Sequence, residues 1–319
     1  MTTPLRTRRP GPDACPGVLS VWRANDGGLA RIRLPGGRLT MGGLAVLAEA
    51  AGRLGAGMLE LTVRGNVQIR GLAAGAEREL AAVLRAAGLL PSESHDRVRN
   101  ILASPATGLG GADVGRMVAQ LDAALIADPV LAGLPGRFLF AVDDGSADVG
   151  ALGADVGLFR TDHGYAVPLA GTAPQLWVSA QQAVPAALQA AHAFLTERQH
   201  QASAAWRLSE LVDGPTRVAA AVAAVVPGSS TGPALPAGAL DRPRVPPPGR
   251  LRTPDGRGAV VVAVPDRRLP AAAAAALVVL GVASEVRVTP WHSLVVPLPA
   301  RAAAAAVVSW ARAHRLEVG

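Results

Sequence analysis

Arg64, Asn66, Gln68 and Arg70, in the stretch LELTVRGNVQIRGL (residues 59–72), carry donors that suit a planar or anionic partner. They recur at every second residue. On an extended chain they would share one face at intervals of about 6 to 7 Å, with Leu61, Val63, Val67 and Ile69 on the other. Asn is a poor strand former, and a face that met only solvent would have no need of it. In HDRVRNILASP, residues 95–105, Arg97, Arg99 and Asn100 stand between a predicted helix and an apolar patch. In LPGRFLFAVDDG, residues 134–145, Arg137 stands at the mouth of a strand and Asp143-Asp144 at its exit. Taken singly, these read as a half-solvated strand, a solvated loop and an acidic turn. Taken together, their guanidinium and amide groups would make charge-assisted bonds to carboxylates.

Other chemistries find little support. There is no nucleophile elbow, HExxH or Walker loop, and GLGGADVG at 108–115 lacks the glycine spacing of a dinucleotide fingerprint. The six histidines are scattered, so no metal site is expected, although His192 and His200 lie two turns apart on a predicted helix. A single cysteine, Cys15, excludes an intramolecular disulfide framework and a four-thiolate site within these residues. Every cationic side chain behind the net charge of +7 is arginine, whose fork fits planar oxyanions. Only one tyrosine is present and no basic patch is interleaved with aromatics, so nucleic acid is not an expected partner. No signal peptide and no membrane-length apolar run is read, which gives the expectation of a soluble cytoplasmic protein.

The elements that must position these residues form a repeat. GGLARIRLPGGRLT, LAVLAEAAGRLG, the stretch from 59 and a helix from Glu77 to Leu90 run strand, helix, strand, helix. GAVVVAVPDRRLP, AAAAAALVVLGVA, SEVRVTPWHSLVVPLP and ARAAAAAVVSWARAHRLE repeat that order. Thr62 aligns with Thr289 at the strand starts and Leu72 with Leu298 at their ends, so the copies differ by one residue in between. A half-unit with an open sheet edge buries more by pairing with its twin, which favours a pseudo-symmetric pair. The expected layout is an arm over 1–27, a first half-domain over 28–90 and a central α/β domain over 91–226. A Pro/Gly-rich linker over 227–257 and a second half-domain over 258–319 complete it.

These stretches, with ACPGVL, LPGGRLT, ADVGL and RVTPWHSLVVP, resemble the siroheme-dependent sulfite and nitrite reductase superfamily, and within it most closely precorrin-3B synthases of cobalamin biosynthesis. The resemblance implies an α+β fold with two ferredoxin-like half-domains related by internal repeat and a central α/β segment. It implies a tetrapyrrole (precorrin) substrate, siroheme and a [4Fe-4S] cluster as cofactors, and an electron donor. By family pattern, Arg64, Asn66, Gln68, Arg99, Asn100 and Arg137 would touch the tetrapyrrole or substrate, while no catalytic residue is singled out. A second cationic position of the reductases is Leu139 in this chain, which speaks against reduction of an anion as small as sulfite or nitrite. The family's four cluster cysteines have no counterpart here, as in a truncated enzyme. The reading is therefore a precorrin-3B synthase-like oxidoreductase. The alternatives are a non-catalytic tetrapyrrole-binding protein or subunit served by a separate cluster-bearing chain, or a sulfite/nitrite reductase-like protein.

Overall fold

The computed structural model describes residues 13–172, 176–230, 235, 238–252, 258–299 and 303–319. Residues 1–12 of the expected arm, and 231–234, 236–237 and 253–257 of the expected linker, lie outside them. The chain divides into two compact units: Pro16–Gly115 with Val245–Gly319, and Arg116–Arg244 with the described residues up to Cys15. Residues 91–115, grouped by sequence with the central domain, thus go with the half-domains, and the later boundary falls at 244/245.

The first copy runs β1 (Trp22–Ala24), β2 (Gly27–Ile32), β3 (Arg38–Thr40), α1 (Met41–Leu54), β4 (Met58–Leu61), β5 (Val67–Leu72) and α2 (Ala76–Ala86), with β6 (Ile101–Ala103) after it. Thr40 caps α1, its hydroxyl accepting the Gly43 N–H at 3.0 Å. Leu44, Leu47, Ala48 and Ala51 then fall on one buried face. The helix expected to reach Leu90 stops at Ala86, because Gly88 turns left-handed (φ 71°) and the Leu84 carbonyl accepts the Leu89 N–H at 2.8 Å.

In the central unit α3 (Gly115–Ala127) is followed by β7 (Phe140–Asp143), β8 (Val156–Thr161), β9 (Gly164–Ala166) and β10 (Trp177–Val178). β7 and β8 pair in parallel, while β8–β9 and β9–β10 are antiparallel. The helices α4 (Ala183–His200) and α5 (Gly214–Val225) follow. α4 buries a face made almost wholly of alanine, with Phe194 packed 4.8 Å from Phe138 between ring centres.

The second copy repeats the first: β11 (Gly249–Arg252), β12 (Gly258–Ala263), β13 (Arg268–Pro270), α6 (Ala271–Val279), β14 (Glu285–Val288), β15 (Ser293–Leu298) and α7 (Ala303–Ala313). The two copies exchange a strand. β3 pairs with β14, Leu39 opposite Val286, and β13 pairs with β4, Leu269 opposite Leu59. Two five-stranded sheets result, β1-β2-β5-β4-β13 and β11-β12-β15-β14-β3, over one shared core that holds Leu47, Leu59 and Ile69 together with Leu277, Val286 and Val296. The expected pairing of the twins is what the fold shows. The one-residue difference between them is a bulge, since Gly28 faces Leu72 but Ala30 faces Ile69, whereas β12 and β15 pair without a slip.

Gly37 bends the chain into the exchanged strand at φ 68°, and a Cβ there would overlap the Val288 carbonyl oxygen. Gly37→Ala should therefore destabilise the chain by on the order of 2 to 3 kcal/mol in urea denaturation. Gly52→Ala, with nothing within 4 Å of its added Cβ, should be neutral or stabilising by up to about 1 kcal/mol.

Candidate functional site

Residues 59–72 are not one strand but a hairpin, β4 and β5 joined by the turn 62–66. The two-residue alternation carries through the turn only by coincidence of residue type. Val63, assigned by sequence to the apolar face, is 62% exposed, while Leu59, Leu61, Val67 and Ile69 are buried as expected. Gly65 supplies the left-handed residue (φ 63°) that reverses the chain. Thr62 closes the turn: its hydroxyl accepts the Asn66 N–H at 3.0 Å, and its N–H donates to the Asn66 carbonyl at 2.9 Å.

The four donors of the opening stretch consequently divide. Arg64 sits half-buried on the turn. Asn66 is 1% exposed, and its Oδ1 accepts the Leu34 N–H at 2.8 Å, tying the hairpin to the turn LPGG; its Nδ2 has no partner among the described residues. Gln68 lies on β5 and accepts from Arg31 Nε at 2.9 Å, and Arg70 pairs with Asp26 at 2.9 Å. Arg31, invisible to a search along one strand, faces Gln68 across β2–β5.

The second copy builds the same turn from TPWHS. The Thr289 hydroxyl accepts the Ser293 N–H at 3.2 Å, and Thr289 N–H donates to the Ser293 carbonyl at 2.9 Å. His292 takes the place of Gly65 at φ 58°, and Trp291 that of Arg64. The ring nitrogens Trp291 Nε1 and His292 Nε2 are buried without a partner among the described residues. Burial, with Arg267 nearby, lowers the His292 pKa from 6.5 and keeps the ring neutral.

The turns converge at Gly65. A Cβ there would lie 3.0 Å from the Val288 carbonyl oxygen, 3.6 Å from Gly37 Cα and 3.7 Å from a Leu102 methyl. Four separate sequence motifs, LPGG, RGN, RNILA and VTPWH, therefore meet at one point. The stretch from 95 is no solvated loop, since His95, Asp96, Arg99 and Asn100 are all at most 5% exposed. Asp96 Oδ2 accepts the N–H groups of Val18 and Leu19 at 2.6 and 3.1 Å, which links this stretch to ACPGVL. Burial raises the Asp96 pKa, opposed by those amides and by Arg33 and Arg97. Asn100 Nδ2 donates to the Arg97 carbonyl at 3.1 Å, and Arg33 reaches the same oxygen at 3.1 Å. The chain beyond is pinned by Arg287, which donates to the carbonyls of Pro105 and Thr107 and pairs with Glu285 at 2.8 Å.

Arg137 belongs to the central unit, where it is exposed, with its guanidinium carbon 4.9 Å from the centre of a Trp206 ring. Leu139, at the second cationic position, is 3% exposed. Asp143 proves to be a loop anchor, its carboxylate accepting the N–H groups of Gly145, Ala147, Val149 and Gly150 at 2.9 to 3.1 Å. His192 pairs with Asp128 at 2.6 Å, and among the described residues no group of three or more potential metal ligands occurs.

Comparison with known proteins agrees with this architecture. Residues 23–87 match the nitrite/sulfite reductase ferredoxin-like half domain. A precorrin-3B synthase from Sinorhizobium sp is 32% identical over 149 residues, 46% of this chain and 32% of that protein. A ferredoxin–nitrite reductase from Synechococcus elongatus is 33% identical over 126 residues, 37% of this chain and 25% of that protein. The NirA protein of Mycobacterium tuberculosis superposes with a TM-score of 0.76 at 22% identity, over 91% of this chain and 57% of that one. The aligned parts thus span a third or less of the curated relatives' length. Among the described residues no helix is long and apolar enough to cross a membrane.

Burial raises the Asp143 pKa above 3.8 against the pull of its amide donors. The folded chain then holds this proton more tightly than the unfolded one, so the linked stability is present below about 3.8 and lost as pH rises through the raised value. Asp143→Asn should cost on the order of 2 kcal/mol near neutral pH, since an amide cannot accept all four N–H groups. It should also flatten the pH dependence just above 3.8 in denaturation curves. An unchanged slope would assign that proton uptake to another group.

Proposed function

We propose that this chain grips a carboxylate-rimmed tetrapyrrole and is the tetrapyrrole-binding part of a precorrin-3B synthase-like oxidoreductase of cobalamin biosynthesis, acting in the cytoplasm. In that reaction precorrin-3A is hydroxylated with oxygen to precorrin-3B. The observation that supports the reading is the meeting of LPGG, RGN, RNILA and VTPWH around Gly65, stretches that carry the resemblance to precorrin-3B synthases. Arg64, Arg99 and Arg137 would donate charge-assisted bonds to the carboxylate arms. Asn66 and Asn100 would hold the turns that carry the first two, and Gln68 would act through Arg31.

The same donors suit siroheme, whose rim is also made of carboxylates and whose iron would supply redox chemistry when bound. A [4Fe-4S] cluster does not fit these residues. It takes four thiolates, and the 319 residues contain one cysteine. Electrons for the hydroxylation would have to come from a donor or a cluster-bearing chain outside these residues. The single cysteine equally favours a second reading, a tetrapyrrole-binding protein without turnover of its own. A nitrite or sulfite reductase is disfavoured by Leu139, a buried apolar residue where a second cation would hold the small anion.

Titration with a carboxylated tetrapyrrole such as uroporphyrin III tests the binding. Wild type should bind, and Arg64→Ala and Arg99→Ala should each lose about 1.5 to 3 kcal/mol, roughly ten- to a hundredfold in Kd. Unchanged affinity in both would sink the assignment of those arginines. Product formation from precorrin-3A with reductant and oxygen separates the enzyme from the carrier.

A further inference from the structure

We propose that Trp206 is a positioning residue for ligand recognition, holding the Arg137 guanidinium over its indole ring so that the arginine's N–H donors are ready for a carboxylate of the tetrapyrrole. This rests on the reading of Arg137 as a ligand contact and adds to it a residue that no sequence motif marks. Arg137 is exposed, and among the described residues it takes part in no ion pair; its one contact of note is the indole, at 4.9 Å. A cation–π contact consumes no N–H donor of a guanidinium outright and so leaves donors for a bond to a carboxylate. A long, exposed arginine would otherwise lose its rotamer freedom on binding, and the stack removes that loss beforehand.

Both partners of the stack are indexed to one buried group. Asp155, 0% exposed, accepts the Leu139 N–H at 2.8 Å on Oδ2, two residues beyond Arg137. Its Oδ1 accepts the Leu208 N–H at 2.7 Å and Arg207 Nε at 3.0 Å, just after Trp206. The Trp206 N–H itself donates to Glu210 Oε2 at 2.8 Å. Phe138, between Arg137 and Leu139, is fully buried against Phe140 and Phe194. The main chain on either side of the contact is therefore fixed, and the exposed Arg137 over the half-buried Trp206 is the part that would meet a ligand.

Uroporphyrin III titrated into the full chain, followed by porphyrin absorbance, tests the proposal with Arg137→Ala, Trp206→Ala, Trp206→Phe and the double variant Arg137→Ala/Trp206→Ala. Arg137→Ala should weaken binding about tenfold or more. Trp206→Ala should weaken it about three- to tenfold, and Trp206→Phe, which keeps an aromatic face, should recover most of that. In the Arg137→Ala background, loss of Trp206 should change nothing further, because it acts through the arginine. Wild-type affinity in Trp206→Ala alongside a weakened Arg137→Ala would overturn the positioning role and leave the contact role of Arg137 standing. Wild-type affinity in Arg137→Ala would overturn the contact role itself, and with it this proposal. An equal loss from Trp206→Ala in both backgrounds would make Trp206 an independent contact and would also overturn it.

Discussion

The larger unit depends on the exchange of two three-residue strands. Alone, either half-domain would leave β4 or β14 as an open edge, and a strand as short as Arg38–Thr40 has no stability of its own. Exchanged, each short strand closes the other copy's sheet, and the two apolar faces fuse into one core. The geometry that permits it is a pair of left-handed residues at the same place in each copy, Gly36-Gly37 and Asp266-Arg267, with φ between 51° and 68°. Only the first copy needs glycine at the second of these positions for room as well as for φ, because the Val288 carbonyl lies against it. Glu285 adds an ionic seam to the exchange, binding Arg38 and Arg287 at 2.8 Å each, and Arg287 in turn fixes the chain after RNILA. The strand exchange and the meeting of motifs around Gly65 therefore share Val288, Glu285 and Arg287 of one strand.

On that shared scaffold the two hairpin tips diverge. Thr62 and Thr289 make the same hydrogen bonds, so the backbone of one turn overlays in connectivity on the other. Their tips nevertheless carry opposite chemistry: Arg64 beside a glycine in one, and an indole beside a neutral imidazole in the other. A non-glycine residue in the left-handed region costs of order 1 kcal/mol or more, which the closed hairpin around His292 sustains. The symmetry therefore belongs to the fold, and the asymmetry to whatever the tips meet.

The repeat was legible because helix and strand periods recur in order and because LPGGRLT and VPDRRLP fall at the same place in each copy. Its one-residue mismatch is also in the sequence, although only the register shows it to be a bulge after Ile69. The hairpin was misread as one strand because Val63 and Arg64 extend an alternation that the chain does not obey, and Gly65-Asn66, a turn pair, was outweighed by it. The exchange of strands could not be read at all, since three-residue segments have no period. Arg31 meets Gln68 from 37 residues away, and Trp206 meets Arg137 from 69 away, so no local pattern announces either.

Three buried acidic residues organise loops, two of them next to arginines. Asp96, Asp143 and Asp155 are each at most 5% exposed, and each is bound to two or more main-chain N–H groups. Burial raises all three pKa values, which measures the cost of carrying charge there, and the amide donors offset it. A carboxylate held this way organises a loop, and Asp155 also pairs with Arg207 at 2.8 Å. Asp96 fixes the stretch that leads into Arg99, and Asp155 fixes the main chain beside both Arg137 and Trp206. In each unit, a loop built on a buried anion fixes the main chain next to an arginine, which lowers the ordering cost that arginine would otherwise bring to any contact.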